Sequence, residues 1–146
     1  MSQSGSIGAV TISIDAYADY STKQHYLFYV DATAGRARIV GAAGAKSVGV
    51  MMNKPSAAGM SAQIAVGGVV PCVAGGTVTQ GDLITADANG KGVTATAAYT
   101  NTNDAGSTTD ALIGSYVIGT ALSSAASGEE FRLLIQPLGA VPTTAI

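Results

Sequence analysis

Hydrophobic and polar positions alternate along this chain in short runs broken by turn residues, the period-2 pattern of β-strands. Val10-Thr11-Ile12-Ser13-Ile14 places Val10, Ile12 and Ile14 on one face of a first strand. Asp15–His25 is polar and reads as a loop. Tyr26–Val30 and Arg36–Val40 read as a hairpin across Asp31–Gly35, a connection ending in Gly. In its second strand Ala37 and Ile39 share one face; Arg36 and Arg38 share the other, wet or partner-facing one. Ala42–Lys46, Ala-rich and closed by Lys, predicts one helical turn before Val48–Met52 returns to strand. Asn53–Gly59 is a breaker, because Pro55 drives Lys54 out of the α region and Gly59 permits positive φ. Ser61–Val66 alternates again.

The stretch Val66–Ala97 is the most heavily punctuated. Its apolar runs Val69–Val73, Leu83–Ala86 and Gly92–Ala97 are cut at Gly67-Gly68, Gly75-Gly76, Gln80-Gly81-Asp82 and Asp87–Gly90. Pro71 cannot donate to a ladder, so Val69–Val73 reads as an edge strand or a bulged one. Asn89-Gly90 predicts a type I′ hairpin turn. Tyr99–Asp110 is a polar insertion expected as a surface loop. Leu112–Leu122 and Glu130–Gln136 are the last two strands, followed by a Pro-interrupted tail, Pro137–Ile146. The organisation is a flexible Gly/Ser-rich arm over 1–9, one β domain over 10–138, and a tail over 139–146. The fold class is mainly β: a small single-domain barrel, tulip-like barrel or sandwich with at most one or two short helices.

Composition sharpens this picture. Ala, Gly, Ser and Thr supply 73 of 146 residues and there is no Trp, so the core is thin for the chain length. Val and Ile together number 23 against 7 Leu, which favours strands over helices. A thin core gains from burial against a neighbouring chain. The net charge of −2, with scattered basic residues, argues against a nucleic-acid partner. One cysteine, Cys72, excludes an intramolecular disulfide and suits a reducing compartment. MSQSGSIGAV lacks the basic and apolar regions of a signal peptide, and no apolar run approaches the roughly 20 residues of a membrane span.

Candidate chemistry is sparse. Gly41–Ser47 resembles a phosphate loop, but Ala45 stands where Gly must precede the Lys. Asp87–Lys91 holds a fragment of a calcium loop without the further acidic ligands, and reads as a turn. One His and one Cys make no metal set, so neither metal nor cofactor is expected. A Cys72–His25 pair is a formal nucleophile and base, yet Cys72 lies in an apolar run and His25 in a polar, solvent-facing loop. Glu129 and Glu130, adjacent on a strand, point to opposite sides. Tyrosines 17, 20, 26, 29, 99 and 116 read as core or interface residues, with a ligand patch as the alternative. No enzymatic activity is expected.

Several runs together resemble tailed-bacteriophage capsid cement, or head decoration, proteins. They are Val50–Pro55, Gly59, Ile64–Val69, Ala74–Asp87, Gly90–Val93, Ile118–Leu122 and Ala126–Glu129, followed by an apolar strand and Pro137. The resemblance spans about residues 36–138 and departs at Tyr99–Asp110 and in the N-terminal third. It implies a non-enzymatic protein on the outer surface of the expanded phage head, made in the host bacterial cytoplasm. Such proteins commonly act as homotrimers that clamp neighbouring major capsid protein subunits. No nucleic acid or membrane is implied as a partner.

The arm and first strand are the candidate capsid-contacting element: Ser2, Ile7, Val10, Ile12 and Ile14. That strand either opens the chain's own sheet or adds to the edge of another. Pro55, Gly81, Asp82, Asn89 and Gly90 are candidate turn and scaffold residues. Two rival readings stand beside the cement one. A non-catalytic module of β-clip type, binding a glycan or host surface, predicts aromatics clustered on one face, and the lack of Trp counts against it. An enzyme requires Cys72, His25 and an Asp within hydrogen-bond reach.

Overall fold

A computed structural model describes residues 7–95, 97–100 and 111–140. Among them are eleven strands and no helix. They are β1 (Ile7–Asp15), β2 (Leu27–Val30), β3 (Ala37–Ile39), β4 (Gly49–Met51), β5 (Ser61–Val73), β6 (Leu83–Ala86), β7 (Gly92–Thr94), β8 (Ala97–Thr100), β9 (Ala111–Gly114), β10 (Tyr116–Ala121) and β11 (Glu130–Ala140). The main sheet is antiparallel in the order β3-β2-β4-β5-β11-β10-β6-β7, with β1 also paired to β5. β8 and β9 form a separate ribbon. The mainly β, single-domain expectation stands, in the form of a curled half-barrel.

The curl is closed by single contacts rather than by a ladder. The Leu27 N–H donates to the Gly90 carbonyl at 2.7 Å, joining β2 to the β6–β7 hairpin at the sheet's opposite end. The Gly75 N–H donates to the Gly92 carbonyl at 2.9 Å, beside a bridge between Ala74 and Gly92. A second bridge, Ala16 to Ala37, folds the segment after β1 back onto β3.

The core is accordingly divided in two. Leu27, Val50, Ala65, Val70, Ile84, Ile118, Phe131 and Leu133 fill the larger cluster. Tyr20, Phe28, Met51, Ala62 and Ile64 fill the smaller, where Tyr20 meets Phe28 edge-on at 4.8 Å. Successive residues Leu27 and Phe28, Val50 and Met51, and Ala65 and Ile64 go to different clusters, so β2, β4 and β5 are buried on both faces. Such strands read as continuous apolar runs rather than alternating ones.

Several local expectations change. Ser61–Val66 and Val69–Val73 are one strand, β5, bent where β1 shifts register opposite Gly67–Val69. Pro71 lies past the register of Ile7, paired with Arg132 of β11, so its missing N–H breaks no second ladder among the described residues. Leu112–Leu122 is divided into β9 and β10 at Ser115. Pro137 does not end the last strand; β11 runs to Ala140 because Pro137 falls at the register shift between Gly119–Ile135 and Val117–Gly139. Ala42–Lys46 makes a turn, with Ala45 N–H to the Ala42 carbonyl at 3.2 Å, and no helix. Residues 101–110 of the expected surface loop lie outside the described residues, while Tyr99 and Thr100 belong to β8.

The hairpin turn also differs from type I′, which needs positive φ at both central residues. Here only Gly90 has it, at 81°. Asp87 N–H bonds the Lys91 carbonyl at 2.8 Å, leaving a three-residue loop that ends in a left-handed Gly. The Asp87 carboxylate selects this turn by accepting from the N–H groups of Asn89 and Lys91 at 2.8 and 2.9 Å. Thr79–Asp82 is a type II turn, with Gly81 at φ 95° and Asp82 N–H to the Thr79 carbonyl at 3.0 Å. The Asp82 side chain accepts from Thr79 N–H and Thr94 Oγ1. Pro55 is buried, and its carbonyl accepts from Tyr20 N–H at 2.8 Å.

Candidate interaction surface

β1 belongs to the chain's own sheet. Its register with β5 runs from Ile7–Val69 to Asp15–Ser61. Among the described residues β5 is its only ladder partner, so the other edge of β1 carries unpaired backbone groups. Its apolar row outruns the core beneath it. Ile14 packs against the smaller cluster, Ile12 is 39% exposed and Val10 is 59% exposed. Ile7 contributes backbone pairing, and Ser2 lies outside the described residues.

A second apolar strip adjoins it. Val69, Leu134, Thr120 and Leu83 are register partners in series across β5, β11, β10 and β6. Their neighbours Val70, Leu133, Ala121 and Ile84 face the larger cluster, so this strip faces outward, half-buried. Leu122, 38% exposed, continues it. Arg132 stands across from Pro71 on the same strands. The sequence reading missed this strip, and its signal was the doublets Val69-Val70, Leu83-Ile84 and Leu133-Leu134, apolar at both parities.

The imagined catalytic pair is separated in role. Cys72 is fully buried, and burial pushes its thiol up to about 12. His25 is not solvent-facing: it is half-buried, and its Nδ1 pairs with the Glu130 carboxylate. Glu129 accepts from Ala126 N–H within its own turn at 2.8 Å. Among the described residues no three His, Cys, Asp or Glu side chains group to hold a metal ion, and no helix is long and apolar enough to cross a membrane.

The crystal structure of the head fiber gp8.5 N base in bacteriophage phi29 has the same fold, with a TM-score of 0.58. The match covers 92% of this chain and 99% of that one at 17% identity, a likeness of fold alone. No curated protein matches the sequence. The family described as phage cement protein matches residues 11–136, from the exposed row of β1 to the middle of β11. With nearly the whole sheet inside that match, the chain belongs to the phage cement protein family.

Proposed function

We propose that the chain is a decoration protein that binds the outer surface of the expanded phage head and braces neighbouring major capsid protein subunits, without catalytic activity. Family membership makes it a structural protein of the phage capsid. The single observation that carries the finer reading is β1, with Val10 and Ile12 exposed on a strand whose outer edge is unpaired among the described residues. An open edge offers main-chain hydrogen bonds to an added strand, and an apolar row supplies the burial that holds it.

The contribution to the capsid follows from mass action. A protein that binds assembled shell and not free subunits stabilises assembly by its binding free energy at every occupied site. A homotrimer would triple the contacts made by each bound particle and raise occupancy through effective concentration. The buried Cys72 thiol and the engagement of His25 by Glu130 support a non-catalytic role. Synthesis in the host cytoplasm and display on the virion complete the proposal.

The test is occupancy on purified heads. A Val10→Lys/Ile12→Lys variant keeps its fold, because both positions are exposed, and loses most head binding at protein concentrations that saturate with wild type. Undiminished binding by the folded variant overturns β1 as the contact. Light scattering of the free protein, and of protein stripped from heads, checks the trimer.

A further inference from the structure

Beyond capsid binding, we propose that the groove between Tyr29 and Lys46 is a binding site for an acidic saccharide. Two adjoining clefts, of about 220 and 200 Å³, share these two residues. Val40, Gly41, Ala42 and Ala45 line the first, and Val30 and Val48 the second. The floor is therefore aliphatic with one aromatic ring, and Lys46 is exposed at the point where the clefts meet.

The charge around the groove runs against that of the chain. The whole sequence carries −2, yet the hairpin that supplies Tyr29 also carries Arg36 and Arg38, with Asp31 as its one acidic residue, and Lys46 lines both clefts. Arg38 is the direct ladder partner of Tyr29, so the two side chains leave the same face. Its guanidinium lies 4.3 Å from the ring centre of Tyr17, itself 38% exposed. Asp31 reaches Arg38 only at 4.0 Å, and among the described residues no carboxylate lies within ion-pair distance of Lys46.

This chemistry fits a ligand with an apolar ring face and a negative charge. Pyranose C–H faces pack on tyrosine and aliphatic carbons, while a carboxylate on the ring meets Lys46. A bare inorganic anion would gain nothing from the valine floor. A peptide adding as a strand is disfavoured, because β2 is already flanked by β3 and β4, and β3 is bridged on its outer side by Ala16. Tyr29 is the one ring that lines both clefts, while Tyr17 lies under Arg38 beside them.

Isothermal titration of the intact protein with oligogalacturonate and with sialyllactose tests the site, with maltohexaose and oligoglutamate alongside. At least one acidic saccharide is expected to bind saturably and to weaken with added salt, while maltohexaose and oligoglutamate do not bind. Lys46→Glu should lower that affinity at least tenfold, and Lys54→Glu, at another exposed lysine, should leave it unchanged. Failure of both acidic saccharides to bind overturns the proposal. So does equal binding of oligoglutamate, which marks a general polyanion surface, or an equal loss in both lysine variants. Head occupancy is a separate measurement, so failure here leaves the capsid reading standing.

Discussion

The N–H of Leu27 donates to the carbonyl of Gly90 at 2.7 Å, and through this bond the two ends of the main sheet meet. Gly90 is buried there at φ 81°, and a Cβ on it would stand 2.5 Å from Ile39 Cγ1 and 3.2 Å from the Leu27 carbonyl oxygen. Gly90→Ala therefore meets both a left-handed backbone and a filled space. The expected cost is about 2–4 kcal/mol, combining backbone strain with overpacking. Urea denaturation measures it, and a loss under 1 kcal/mol would mean that this closure contributes little.

Asp87 is the second fastening of the same hairpin. Its Oδ1 accepts from the N–H groups of Asn89 and Lys91, and its Oδ2 lies 2.2 Å from where a Gly75 Cβ would be. Asp87→Ala should cost about 1–3 kcal/mol by orphaning the turn donors. Gly75→Ala should destabilise by displacing the same carboxylate. The double variant is then expected to cost clearly less than the sum of the two single changes. Simple additivity in thermal or urea unfolding would show that the two residues act separately.

These closures explain which parts of the fold were legible in sequence. Alternation marks Val10–Ile14 as a strand. Gly67-Gly68 resembles a stop but is a bend inside β5, because Gly68, at φ 88°, lies against the Gly8 carbonyl of β1. That contact joins residues far apart in the chain, and no local pattern reports it. The turn at Asn89 was misread for a related reason: its type is set by the Asp87 side chain, not by the Asn-Gly pair alone. The alternating apolar row of β1 was legible at residue level, and the degree of its exposure was not. The strip from Val69 to Leu83 was not, since half-buried outer positions and core positions are both apolar there.

Alkaline titration should weaken the fold through Cys72 and Tyr20. Burial raises the Cys72 thiol from its ordinary 9.0 to about 12. Burial also raises the Tyr20 phenol, opposed by the Ile39 N–H that it accepts. A group whose folded pKa is raised holds its proton more tightly in the folded state. Its contribution is therefore complete below the unfolded value and lost as pH climbs through the folded one. Stability should be level up to about pH 9 and then fall toward pH 12. Cys72→Ala should flatten the first part of that decline. A thiol reagent at pH 8 should label Cys72 only as fast as the protein opens, and rapid labelling of native protein would contradict its burial.

His25 is where a local cost is held in place by distant contacts. It is the one non-glycine among the described residues with positive φ, at 69°. Its N–H donates to the Met51 carbonyl at 2.7 Å, its carbonyl accepts from Val73 N–H at 3.0 Å, and its ring pairs with Glu130 at the start of β11. Backbone and side chain thus make opposite contributions, and two substitutions separate them. His25→Ala loses the ring contact and keeps the unfavourable φ. His25→Gly loses the same contact and relieves the backbone, so it should be more stable than the alanine variant by about 1 kcal/mol despite its freer unfolded chain. Glu130→Ala should reproduce the loss of the ring contact without touching φ. If the glycine variant proves the less stable of the two, the positive φ at this position carries no strain.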